Sequence, residues 1–101
     1  MYLIQLFLPL YDEKGMTFPD QLFSAVRAQL TEKFAGITTY SRAPAKGFWK
    51  DEGKLHRDDI VVFEVMAEQL DRRWWDRYRQ NLETEFRQDQ ILIRAQMIEI
   101  I

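Results

Sequence analysis

Two stretches of this chain, YLIQLFLP at 2–9 and IVVFEVM at 60–66, are apolar at both odd and even positions, and each carries one polar insert, Gln5 and Glu64. Successive side chains of a strand point to opposite faces, so a strand that is apolar on both needs cover on both. The rest of the chain supplies two helical patterns. Two helices on one side of a sheet cover one face only, and the other face then has to meet something else.

The elements follow in order. After the first strand, weakened near its end by Pro9, Asp12-Glu13-Lys14-Gly15 predicts a turn. Pro19 suits the first helical position, where its missing N–H costs nothing. Leu22, Val26, Leu30 and Phe34 recur every four residues, Phe23 widens the stripe, and Gly36 is expected to stop the helix in a left-handed conformation. Ile37 to Arg42 is a second strand, interrupted by Ala43-Pro44-Ala45-Lys46-Gly47, so it belongs at a sheet edge or is bulged. Phe48-Trp49-Lys50 resumes it, Asp51-Glu52-Gly53-Lys54 turns, and Asp59 to Met66 is the third strand. Asp71 N-caps a second helix. Trp74, Trp75, Tyr78, Leu82 and Phe86 form its apolar face, and the charged residues between them are solvated. Gln90 to Ile101 is a fourth strand. The expected class is α+β, a ferredoxin-like βαββαβ domain over residues 1–101, with both helices on one face of a four-stranded antiparallel sheet.

Parity then predicts what the uncovered face carries. Leu3, Gln5 and Phe7 share it with Ile60, Val62, Glu64 and Met66, and with Leu92, Arg94, Gln96, Ile98 and Ile100. Ile91, Ile93, Ala95 and Met97 are expected toward the core. The Pro44 interruption leaves strand two open: either Tyr40 and Arg42 or Thr39 and Ser41 lie on the uncovered side. The face is mostly apolar, with a polar row through Arg94, Gln5 and Glu64. An apolar face of this size is rarely left in water by a monomer, so two copies are expected to pack sheet to sheet. Glu64 and Arg94 buried there would be costly alone and should be paired or hydrogen-bonded.

This pattern resembles the dimeric α+β barrel superfamily, whose ferredoxin-like chains close two sheets into one barrel. MYLIQLFLPLYD, YSRAPAKGFWKD, RDDIVVFEVM and ILIRAQ look like stretches of small bacterial members without assigned function. The resemblance implies a homodimer. It also brings in a range of activities, from cofactor-independent monooxygenases and lactone isomerases to haem enzymes.

Composition removes other classes. With 14 basic against 16 acidic residues and a pI near 5.4, the chain lacks the basic balance that phosphate-driven nucleic-acid binding shows. The third strand has no basic-Gly-aromatic RNA signature. No cysteine is present, which removes disulfide, thiolate and cysteine-metal chemistry and fits a reducing, cytoplasmic setting. The apolar start has no basic region and no small-residue cleavage site, and reads as a strand rather than a signal peptide. No run approaches the roughly 20 apolar residues of a membrane span.

The candidate ligand-binding residues are Gln5, Tyr40, Arg42, Trp49, Glu64 and Arg94; Glu64 and His56 are the candidate catalytic groups. An arginine fork suits a carboxylate, and a carboxylate in an apolar cavity can serve as a base. Tyr40, Arg42 and Trp49 would line the cavity mouth or pack across an edge hairpin. His56 stands among Arg57, Asp58 and Asp59, neighbours that predict a solvated turn. One histidine with adjacent carboxylates has no recognised metal spacing, so neither metal nor cofactor is expected. Three functions stay open: a homodimer binding a small organic molecule, an enzyme of the monooxygenase or isomerase kind, and a structural association module.

Overall fold

The computed structural model describes residues 1–34, 36–42 and 59–101, with 37–42 given by their backbone. The elements are β1 (Tyr2–Pro9), α1 (Asp20–Lys33), β2 (Ile37–Arg42), β3 (Ile60–Ala67), α2 (Arg72–Glu85) and β4 (Leu92–Met97). The strands lie in the order β2-β3-β1-β4, and every pair is antiparallel. The α+β class read from the sequence therefore holds: two helices on an antiparallel sheet.

The core forms where β1 and β3 meet the helices. Ile4, Leu6 and Leu8 of β1 and Val61, Phe63 and Val65 of β3 are buried against Val26 and Leu30 of α1 and Trp75, Tyr78 and Leu82 of α2. Phe18, Phe86 and Ile91 close one end. The Phe18 and Phe86 rings meet edge to face at 5.2 Å, and Phe23 lies 5.4 Å from Phe86. Each of these side chains in the strands and helices has the parity or the helical spacing that the sequence assigns to the core.

Local chemistry sets the ends of the elements. Asp12 Oδ1 accepts from the Lys14 and Met16 amides at 2.8 and 2.9 Å, and Gly15 takes φ 79°, a turn conformation glycine adopts without a Cβ clash. The Asp71 carboxylate accepts from the Trp74 amide at 3.1 Å, the N-cap expected for α2. Glu83 accepts from the Ile91 amide at 3.0 Å and tethers α2 to the approach of β4.

Four expectations are corrected. Pro19 is the N-cap of α1, with ψ 142°, because its extended backbone leads into the helix instead of forming the first turn. Gly36 does not take a left-handed conformation; Phe34 ends α1 in extended backbone at φ −121°, ψ 148°. The fourth strand starts at Leu92 and stops at Met97, and residues 98–101 lie outside it. β1 begins at Tyr2, opposite Met97, and beyond that pair a single bond, from the Ile98 amide to the Met1 carbonyl, continues the alignment. Ala95 and Met97 do have the core-side parity, yet both are exposed, Met97 to 76%. The buried side chains of the helices pack over the two central strands, and the end of an edge strand receives no cover.

Between the helices, the Tyr78 hydroxyl donates to Gln29 Oε1 at 2.8 Å. Burial, with a smaller contribution from the charge of Glu85, pushes the Tyr78 phenol well above its ordinary range. The folded chain therefore keeps a proton that the unfolded chain releases above pH about 10, so this contribution is complete below that pH and fades as pH rises further. Tyr78→Phe is expected to lose about 0.5–1.5 kcal/mol at pH 7. It is also expected to lose less stability than the parent between pH 9 and about 11. Urea midpoints at both ends of that range check it, and parallel pH profiles would refute it.

Candidate functional site

The backbone register brings three polar residues of distant sequence into line. Gln5 of β1 lies directly opposite Glu64 of β3 and, on its other side, opposite Arg94 of β4. Directly opposed residues share a face, here the one away from both helices. Gln5 Nε2 donates to Glu64 Oε2 at 2.5 Å, and Arg94 Nε donates to Gln5 Oε1 at 2.8 Å. The amide takes opposite roles at its two ends, a donor toward the carboxylate and an acceptor from the guanidinium, so the flanking charges fix its orientation. Sequence parity expects Glu64 and Arg94 to be paired or hydrogen-bonded, and the link between them runs through Gln5. The reason is distance: they sit two strands apart, about 10 Å at the usual strand spacing.

Arg94 is held at a second point. Its guanidinium carbon stands 4.8 Å from the centroid of the Phe7 ring, in cation–π range. With Nε on Gln5 and the plane against Phe7, the two terminal amino groups of Arg94 have no partner among the described residues. The Phe7 platform is not singled out by sequence reading, although its i, i+2 relation to Gln5 carries the signal. Around the row the face is apolar: Leu3 and Phe7 are half-buried, Met66 is 50% exposed and Leu92 57%. Val62 has the same parity and is buried.

The other candidates fall into two groups. Tyr40 and Arg42 lie opposite Val62 and Ile60 in the ladder, at positions of the same parity as Glu64, whereas Thr39 and Ser41 lie opposite Phe63 and Val61. Register thus places Tyr40 and Arg42, of the two sequence alternatives, in line with the open-face positions. Trp49 and His56 lie outside the described residues, as does the interruption at Pro44.

On the helix side, a hollow of about 500 Å³ opens between α2 and β4, over Ile4, Trp75, Ile93, Ala95 and Met97. Arg79 at its rim is engaged by Asp76 at 2.6 Å and Glu83 at 3.0 Å. Among the described residues, no group of three His, Asp or Glu side chains is placed to hold a metal ion, and no helix is long and apolar enough to cross a membrane.

No protein-family model, curated protein or solved structure matches the chain. The polar row must be read from its own geometry.

Proposed function

We propose that this is a ferredoxin-like chain whose four-stranded sheets pack open face to open face in a homodimer. Between them it binds a small organic carboxylate, with Arg94 as the anion-binding fork. One observation carries the reading: a guanidinium fixed by Gln5 and Phe7, its terminal amino groups unpartnered among the described residues, on a largely apolar face that neither α1 nor α2 covers. A planar fork held in place suits two parallel bonds to a carboxylate. The apolar surface of Phe7, Leu92 and Met66 suits the body of the acid. Glu64, at the far end of the row, keeps a second carboxylate from lying the other way round. Few polar groups on an apolar surface is the usual make-up of a small-molecule site.

Titration of the isotopically labelled protein with sodium benzoate tests this. Saturable shifts of the Phe7, Leu92 and Arg94 amides are expected, and sedimentation is expected to give a dimer. Arg94→Met is expected to weaken the binding about 10- to 100-fold, the worth of charge-assisted hydrogen bonds. A monomer at micromolar concentration, or shifts untouched by Arg94→Met, would overturn the reading. Turnover of a bound acid that is lost in Glu64→Gln would assign the site to an enzyme instead.

A further inference from the structure

The outer edge of β4 has no neighbour among the described residues. It ends the strand order, and its only pairing there is with β1. Proteins usually protect such an edge with proline, lysine, a bulge or a covering element. Leu92–Met97, LIRAQM, contains neither proline nor lysine; its one charge, Arg94, is drawn back over β1 onto Phe7 and Gln5, and its register with β1 runs unbroken from Leu92 to Met97. The Ile98 amide donates to the Met1 carbonyl at 3.0 Å and carries the alignment one residue further. Five of the six strand residues are exposed.

We infer that this edge pairs with the same edge of a second copy, antiparallel about a two-fold axis through Ala95. The register selects itself. With Ala95 opposite the partner's Ala95, Arg94 meets the partner's Gln96, Ile93 meets the partner's Met97, and Leu92 meets the partner's Ile98. Every pair is apolar with apolar or polar with polar, and the smallest side chain sits on the axis. A shift that centres the axis on Arg94 sets two guanidinium groups face to face. A shift that centres it on Gln96 places Ile93 against the partner's Glu99. Odd offsets continue one copy's open face into the other's helix side. The exposed Leu92 and Met97 both gain apolar cover in the register centred on Ala95.

This contact goes beyond the ligand reading and does not require it, but it bears on the same residues. The partner's Gln96 comes beside Arg94 and brings an amide N–H to the position where a carboxylate would lie. An edge pair leaves both open faces free, so it can join two face-to-face dimers into a tetramer with closed symmetry.

The absence of native cysteine makes a direct test possible. Across an antiparallel pair the Cα atoms of opposed residues lie about 4.5–5.5 Å apart, within the roughly 4.4–6.8 Å that a disulfide spans. Ala95→Cys is expected to cross-link to itself almost completely in a mild redox buffer. Gln96→Cys lies diagonal to its own copy, beyond about 7 Å, and is expected to stay largely free. Ala95→Lys places like charges on the axis and is expected to weaken this association at least about tenfold, with the circular dichroism spectrum of the parent retained because the site is exposed. Efficient cross-linking of the Ala95→Cys chain, together with an Ala95→Lys chain that is monomeric, keeps the edge pair and removes the face dimer. A dimer that survives Ala95→Lys, with the Ala95→Cys chain no more linked than the Gln96→Cys chain, removes the edge pair and leaves the face dimer standing.

Discussion

Phe86→Ala is expected to lower the unfolding free energy by about 3–5 kcal/mol, the range for truncating a fully buried aromatic ring. A domain of this size has roughly 5–15 kcal/mol in total, so the loss takes a large part of it, and Tm should fall by roughly 15 °C or more. Phe86 is fully buried and packs against Phe18, which precedes α1, and Phe23, within it. Its amide closes the end of α2 on the Leu82 carbonyl at 2.9 Å, and alanine keeps that bond. The expected loss is therefore the ring's packing and the cavity it leaves. Leu92→Ala, on the open face, is the comparison: in a monomeric state it should shift stability by no more than about 0.5 kcal/mol. Urea unfolding of both variants checks the pair. Equal losses would mean that the two faces of the sheet are not distinguished as burial indicates.

Gln5→Leu should have the largest effect on binding among changes that do not touch the ligand's own contacts. Leucine matches glutamine in size but has neither donor nor acceptor. Glu64 loses the Gln5 amide and Arg94 loses the acceptor that fixes its Nε, at a cost of about 1–3 kcal/mol in stability. With the fork no longer held, benzoate affinity should fall by roughly tenfold, since each 1.4 kcal/mol is one decade. Gln5→Glu separates the two ends of the row. It keeps an acceptor for Arg94 but sets a second carboxylate beside Glu64, so its stability deficit should shrink as pH falls toward about 4. A Gln5→Leu chain that binds benzoate like the parent would show that Arg94 needs no positioning by Gln5.

Most of the architecture was legible because strand parity and helical spacing are local properties that tertiary structure obeyed. Gln5 and Glu64 stood out as lone polar inserts in apolar runs, and both lie on the face their parity assigned. The ends were less legible. Gly36 looked like a helix stop, yet Phe34 had already left the helix, and residue type alone does not say which of two nearby residues breaks the pattern. Ala95 and Met97 had core parity without burial, because parity assigns a side of the sheet and not the reach of the helix above it. Parity and the expected strand order put Gln5 in a row between Arg94 and Glu64, but they could not show that its amide bonds to both, since that depends on side-chain conformation and not on which face a residue takes. Phe7 beneath Arg94 was hidden for the same reason.

The line from Glu64 through Gln5 to Arg94 is also a gauge of strand alignment. It carries a negative charge at an inner strand and a positive charge at the outermost, so it has an electrical direction set across the strands and not along them. Slip β4 by one residue against β1 and Ile93 or Ala95 stands opposite Gln5, while Arg94 turns to the helix side. The dipole would then vanish. An anion that binds through Arg94 thus recognises one alignment of the sheet over its neighbours, and any such ligand would act as a clamp on the correct registration of the edge strand.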